Sequence, residues 1–247
     1  MARFFLSHTQ VEGDTVTVTG ADAHHIAHVL RMRAGESLTV CDMQKNEYLC
    51  CIADIRDNCV ICEIRQKKKN DTELPCRVHI YQSLPKGDKM EFIVQKAVEL
   101  GAFSVTPVSS ARCVSRPDAE AAAHKCRRWQ RIAEEAAKQC GRGIVPAVRK
   151  LTPLKQAMIH TAEEGSLSLF CYEGDGTVSL KKVLEGIGTE KSAEISVFIG
   201  PEGGYDIDEV SSARSLGFPV VGLGKRILRC ETASGFVLSC IGYALEL

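Results

Sequence analysis

Over the first seventy residues, apolar side chains recur at every second position. Thr15-Val16-Thr17-Val18-Thr19 alternates, Ser37-Leu38-Thr39-Val40-Cys41 follows Gly35-Glu36, and residues 48–52 and 59–64 repeat the pattern. A period of two puts one set of side chains on one face of a strand, so these runs predict short β-strands. One short helix, residues 22–31, interrupts them. Together they predict a small β-rich barrel. Lys67-Lys68-Lys69-Asn70-Asp71 reads as a charged connector, and the domain boundary is placed there.

From about residue 76 the period lengthens. Val78-His79-Ile80-Tyr81 predicts a strand. Met90, Ile93, Val94 and Ala97 fall on one face of a helix over residues 89–100, and Gly101 stands where a left-handed residue closes a helix. Residues 103–108 predict another strand. Trp129, Ile132, Ala133, Ala136 and Cys140 mark a second amphipathic helix ending at Gly141. Residues 167–172, 195–199 and 220–223 read as buried strands. Asp206-Ile207-Asp208-Glu209 carries a cap residue with a Glu three places on, and residues 232–246 form a closing apolar helix. Strands alternating with helices predict an α/β domain with a mostly parallel sheet.

Two loops in this second part invite chemistry. Ile199-Gly200-Pro201-Glu202-Gly203-Gly204 follows a strand and precedes a helix. It is poor in side chains, so its backbone can approach a ligand closely. Ligands of open α/β sheets bind beyond the carboxyl ends of strands, where this loop lies. Read alone, it serves equally as a tight turn that binds nothing. Leu223-Gly224-Lys225-Arg226-Ile227-Leu228-Arg229-Cys230-Glu231-Thr232-Ala233 also joins a strand to a helix. Leu223, Ile227 and Leu228 suit a flat purine. Arg229 and Glu231 are charges in an apolar setting that need a partner or a task, and an ion pair between them is the simpler account. No phosphate-binding G-x-x-x-x-G-K-[ST], dinucleotide G-x-G-x-x-G or hydrolase G-x-S-x-G motif is present, which weakens NTPase, dehydrogenase and hydrolase readings.

Charge sharpens the picture. The chain is formally neutral, with 31 Lys+Arg and 31 Asp+Glu, yet residues 86–150 hold 13 Lys+Arg against 7 Asp+Glu, and residues 151–247 hold 8 against 13. A basic middle segment in a neutral chain points to a local anionic partner. No apolar run approaches bilayer length, and Met1-Ala2-Arg3-Phe4-Phe5 leads into polar residues, so the protein is expected to be cytoplasmic with no membrane partner. The 12 cysteines mostly sit among Val, Ile and Ala, where free cysteine behaves as a small hydrophobe. Cys59-Val60-Ile61-Cys62 lacks a turn or a second pair, and His24 with His28 lacks further ligands, so no metal site is expected.

Several segments together resemble one family. His25-Ile26-Ala27-His28-Val29-Leu30-Arg31-Met32, residues 86–101 (KGDKMEFIVQKAVELG), Arg112-Cys113, residues 128–146, and both glycine loops resemble the RsmE family of 16S rRNA (uracil-N3)-methyltransferases in the SPOUT superfamily. The likeness runs nearly end to end. It departs at Asp42-Met43-Gln44-Lys45-Asn46, where relatives often carry an Asp-Gly turn.

The resemblance implies a PUA-like barrel over residues 1–70 and a SPOUT domain with a C-terminal trefoil knot over residues 76–247. It implies a homodimer that uses S-adenosylmethionine to form 3-methyluridine near the decoding centre of the small ribosomal subunit. The alternatives are a related SPOUT enzyme acting elsewhere on RNA and an inactive RNA-binding protein. Carried over by position, the cofactor pocket comprises Ile199, Gly200, Pro201, Glu202, Gly203, Leu223, Gly224, Ile227, Leu228, Arg229, Glu231, Thr232 and Ala233. Methyl transfer to N3 requires loss of its proton, and a fixed cation stabilises the charge that then spreads over the ring oxygens. Arg229 is the candidate cation, Glu231 its orienting partner or the base, and Glu202 the other candidate base. Arg3, Arg31, Arg33, Lys86, Lys89, Lys96, Arg112 and Arg142 are the candidate RNA contacts, with Arg127 and Arg128 beside them.

Overall fold

The computed structural model describes residues 1–6, 10–187 and 194–247. The chain divides into two compact units: Met1–Glu73 with Ala137–Val145, and Leu74–Ala136 with Pro146–Leu247.

The first unit is built on one six-stranded sheet. Its strands are β1 (Arg3–Phe5), β2 (Val11–Glu12), β3 (Thr15–Thr19), β4 (Ser37–Cys41), β5 (Asn46–Arg56) and β6 (Cys59–Lys69), ordered β1-β4-β5-β6-β3-β2. Pairing is antiparallel except between β1 and β4. Among the described residues the edge strands do not pair with each other. Phe4 from one edge and Val11 from the other nevertheless pack into the same core, with Val16, Val18, Leu38, Val40, Ile52 and Val60, so the sheet wraps around it. Helix α1 (Gly20–His24) runs on into a π-helical turn (His25–Val29), and Ile26 plugs the core. Cys50 and Cys62 are fully buried here, and burial pushes their thiols up to about 11 and about 12.

Two details differ from the sequence expectation. Lys67, Lys68 and Lys69 are not a connector: they lie within β6 and pair with Tyr48, Glu47 and Asn46 of β5. The turn that lacks an Asp-Gly is held by Asp42. Its carboxylate accepts from the Gln44 N–H (2.9 Å), the Asn46 N–H (3.2 Å), Asn46 Nδ2 (2.7 Å) and the Tyr48 hydroxyl (3.1 Å). These bonds offset the left-handed backbone of Met43 and Lys45, at φ 62° and 65°.

The second unit carries an eight-stranded sheet in which every pairing is parallel. Its strands are β7 (Arg77–Ser83), β8 (Ser104–Ser109), β9 (Ala147–Val148), β10 (Thr152–Pro153), β11 (Leu167–Cys171), β12 (Val178–Ser179), β13 (Glu194–Ile199) and β14 (Val220–Gly222). They run in the order β10-β8-β7-β13-β11-β14-β12, with β9 also on β8. The helices are α2 (Lys89–Glu99), α3 (Ala119–Cys140), α4 (Leu154–Glu163), α5 (Leu180–Glu185), α6 (Ile207–Ser215) and α7 (Cys230–Leu245). Gly101, at φ 91°, closes α2, and Ala102 N–H returns to Ala97 O at 2.9 Å, a Schellman turn. The capping box starting α6 forms as the Asp206/Glu209 spacing predicts.

One face of this sheet is aromatic. Tyr81 stacks on Phe198 at 4.6 Å and Phe170 meets Tyr205 at 4.2 Å, while α4 and α6 cover them with Met158 and Val210. Burying each Phe stabilises the unit by roughly 2–3 kcal/mol. Helix α7 packs on β7 and β13, and α2 packs on α7. With β11 between β13 and β14, three loops leave the carboxyl ends of adjacent strands.

Candidate active site

The loops after β13, β11 and β14 wall one cleft of about 500 Å³, within the usual range for small-molecule sites. Ile199, Gly200, Pro201, Glu202, Leu223, Gly224, Ile227, Leu228, Arg229 and Ala233 line it as expected. Gly203, Glu231 and Thr232 do not. Gly203 instead backs onto Arg112, whose Cβ lies 3.4 Å from where a Gly203 Cβ would stand. The Glu231 side chain turns to Cys230 Sγ, which donates at 3.1 Å, and lies 3.8 Å from Lys89 Nζ. Thr232 is exposed, and its N–H donates to Arg229 O in the first turn of α7.

The third wall was only half legible: residues 169–172 read as a strand end whose role in the pocket stayed open, and Glu173 and Thr177 beyond it were missed. Cys171, Tyr172, Glu173 and Thr177 line the cleft from the loop after β11. This loop presses on both glycine loops. The Glu173 carboxylate occupies the space a Cβ on Gly204 would need, and Thr177 Oγ1 lies 2.7 Å from where a Gly222 Cβ would stand. Gly204 is doubly required, since its φ of 66° is a left-handed conformation.

Lys89 was expected on RNA, yet it lies in the cleft wall. It stands at the start of α2 and bonds Glu202 Oε1 at 2.6 Å. The Lys86 N–H adds a bond to the same carboxylate at 3.1 Å. Burial alone would raise the Glu202 carboxyl, but Lys89 and these backbone donors outweigh it and hold it below its ordinary value. Glu202 in turn raises Lys89. Glu231 follows the same pattern: burial opposes ionisation, and its own backbone N–H, Cys230, Lys89 and Arg229 together lower it. Carboxylates held ionised are weak proton acceptors, which argues against Glu202 and Glu231 as the base. Burial, reinforced by the bond to Glu231, pushes the Cys230 thiol up to about 12, so it stays protonated.

Arg229 is different. It is exposed at the cleft, precedes α7, and among the described residues has no hydrogen-bond or ion-pair partner. The expected Arg229–Glu231 ion pair does not form.

Two of the expected RNA contacts are corrected by burial. Arg142 is 2% exposed, and its guanidinium grips Glu73, with Nε 2.9 and 3.0 Å from the two carboxylate oxygens. Arg3 bonds Glu47 Oε2 at 2.9 Å and the Arg142 carbonyl at 3.3 Å. Both belong to the interior of the first unit. Arg112 spends its guanidinium on Gly203 O (3.1 Å) and Asp206 (3.2 Å), bracing the first glycine loop. Lys96 bonds Glu99 and stands over the Phe92 ring, and Arg128 pairs with Glu91. Arg31, Arg33, Lys86 and Arg127 are exposed.

The cleft fits S-adenosylmethionine. Its glycine backbone admits close approach, and Ile227, 83% exposed at the rim, is an aliphatic surface awaiting a planar group. Among the described residues, no group of three or more His, Cys, Asp or Glu is placed to hold a metal ion.

Comparison with known proteins agrees with this geometry. Residues 72–242 match the RNA methyltransferase domain family and residues 18–65 the RNA methyltransferase PUA domain. Ribosomal RNA small subunit methyltransferase E of Bacillus subtilis is 34% identical, with 100% of this chain and 98% of that protein covered. The Synechocystis protein of the same name is 32% identical, covering 99% and 78%. Among solved structures, the Neisseria gonorrhoeae enzyme of that name, bound to S-adenosyl methionine, superposes with a TM-score of 0.86 at 31% identity, covering 99% and 98%.

Proposed function

This chain belongs to the ribosomal RNA small subunit methyltransferase E family of RNA methyltransferases, and from that premise we propose that it methylates N3 of a uridine in 16S rRNA. It is an S-adenosylmethionine-dependent enzyme of small-subunit rRNA. The observation that carries the reading is the cleft itself: two glycine loops and aliphatic walls, with Arg229 exposed at its edge.

The bound cofactor supplies an electrophilic methyl group. The protein's contribution is position and charge. Backbone of residues 199–204 and 223–228 would hold the adenosine, with Leu223, Ile227 and Leu228 offering apolar walls for its base. Arg229 faces the uracil oxygens, where negative charge collects as the N3 proton leaves, and stabilises it without reorganising. Lys89 ties Glu202 and Glu231 together, fixing the first glycine loop relative to the α7 N-terminus.

We assign RNA recognition to a PUA-like barrel over residues 1–70 and catalysis to a SPOUT domain over residues 76–247. Exposed Arg31 and Arg33 are the barrel's phosphate contacts and exposed Lys86 is one from the second domain, where Arg112 and Lys96 contribute as far as their present partners leave them accessible. A trefoil knot near the C-terminus belongs to this reading, supported by the adjacency of β13, β11 and β14, whose end loops form the cleft. So does a homodimer, supported by Phe92, Phe236 and Tyr243, which α2 and α7 leave 49%, 38% and 76% exposed. Light scattering on the purified protein tests the dimer.

Two experiments test the function. Calorimetric titration is expected to show stoichiometric S-adenosylmethionine binding, and its absence overturns the enzyme reading. Mass mapping of 16S rRNA from cells lacking the protein is expected to show one missing methyl group on a uridine. A loss elsewhere assigns a different target.

A further inference from the structure

The cleft wall carries a carboxylate that the proposed function does not use. Glu173 follows β11, lines the cleft and lies against Gly204 of the first glycine loop. Among the described residues it has no hydrogen-bond or ion-pair partner.

Its surroundings define what it can meet. The other carboxylate on the cleft wall, Glu202, is consumed by Lys89 at 2.6 Å. The remaining charged side chains on the wall, Lys225, Arg226 and Arg229, are all cations, and among the described residues none of them has a hydrogen-bond or ion-pair partner. A positively charged ligand centre entering this cleft therefore finds one free counter-charge. Gly204 lets that carboxylate approach, because any side chain there would occupy its space.

Building on the methyltransferase reading, we propose that Glu173 is a cofactor-recognition residue whose carboxylate pairs with a cationic centre of the methyl donor. The donor has two such centres, the sulfonium and the α-ammonium. If the partner is the sulfonium, the contact favours donor over product, because methyl transfer turns the sulfonium into a neutral thioether. The protein would then bind its spent cofactor less tightly than the fresh one, which aids release.

Three ligands separate the cases by calorimetry on the full-length protein. S-adenosylmethionine carries both cations, S-adenosylhomocysteine only the ammonium, and 5′-methylthioadenosine neither. Glu173→Gln keeps shape and removes charge, and Glu173→Asp keeps charge. For Glu173→Gln we expect S-adenosylmethionine binding about tenfold weaker, with 5′-methylthioadenosine unchanged and substantial recovery in Glu173→Asp. Unchanged S-adenosylhomocysteine identifies the sulfonium, and a parallel loss identifies the ammonium. Equal weakening of all three ligands, or no change in S-adenosylmethionine, overturns the proposal. Wild-type protein that fails to bind S-adenosylmethionine overturns the methyltransferase reading instead.

Discussion

Arg142 and Arg229 look interchangeable along the chain: each follows a glycine-bearing stretch and each was read as a contact for a ligand. The structure separates them. Arg142 is 2% exposed and has Glu73 and the Arg3 network around it. Arg229 is exposed at a cleft and, among the described residues, has no hydrogen-bond or ion-pair partner. A buried charge survives only when its partners are complete, whereas an unpartnered charge at a ligand cleft is available for a transient one. The first unit spends Arg142 and Arg3 on holding itself together, and the second keeps Arg229 in reserve.

The largest expected effect breaks the first half of this contrast. Arg142→Ala leaves Glu73 buried without its cation, which costs about 3–5 kcal/mol. Urea unfolding followed by circular dichroism measures it, and the folded fraction should keep the salt dependence of RNA binding unchanged. Arg229→Ala breaks the other half. Methyl transfer at saturating cofactor should fall about 10²–10³-fold, while stability stays within about 0.5 kcal/mol. A variant that lost stability and kept turnover would reverse the assignment.

A smaller effect sharpens the site. Gly204→Ala forces a left-handed alanine against Glu173, a strain of about 1–3 kcal/mol. Cofactor affinity should drop roughly tenfold, read by calorimetry, with RNA affinity unaffected. The smallest effect concerns acid. Burial would raise the Asp42 carboxyl, but its bonds from Asn46, Gln44 and Tyr48 hold it below its ordinary 3.8. A depressed carboxyl contributes stability above its unfolded value and loses it as pH falls through the folded one. Wild-type stability should therefore decline more steeply below about pH 4 than that of Asp42→Asn, measured by urea titration at each pH.

How much of this was legible depends on how local each feature is. The helix over residues 89–100, its Gly101 cap and the Asp206/Glu209 box are written in spacings of three and four, and the structure has them. Both glycine loops were visible because glycine and proline change the backbone where they stand. The long helix α3 begins at Ala119, earlier than its apolar stripe suggests, because its first turns are alanine-rich and carry no strong periodicity. Lys67 to Lys69 hid a strand behind their charge, since an exposed strand face tolerates lysine. Glu173 and Thr177 of the third wall, and the burial of Arg142, were not legible. Each depends on a neighbour far along the chain: Gly204 and Gly222 for the wall, and Glu73, 69 residues away, for the arginine. No local pattern marks such meetings.

The return of residues 137–145 to the first unit has a consequence for how the protein is made. The barrel strands leave the ribosome first, but Glu73 and Asn70 wait for Arg142 and the Gly141 carbonyl, which follow after most of α3. Until then the nascent barrel carries the Glu73 carboxylate without its cation. Its folding is thus timed by synthesis of the next unit, and a gene fragment cut at the apparent boundary near residue 73 encodes an unfinished object.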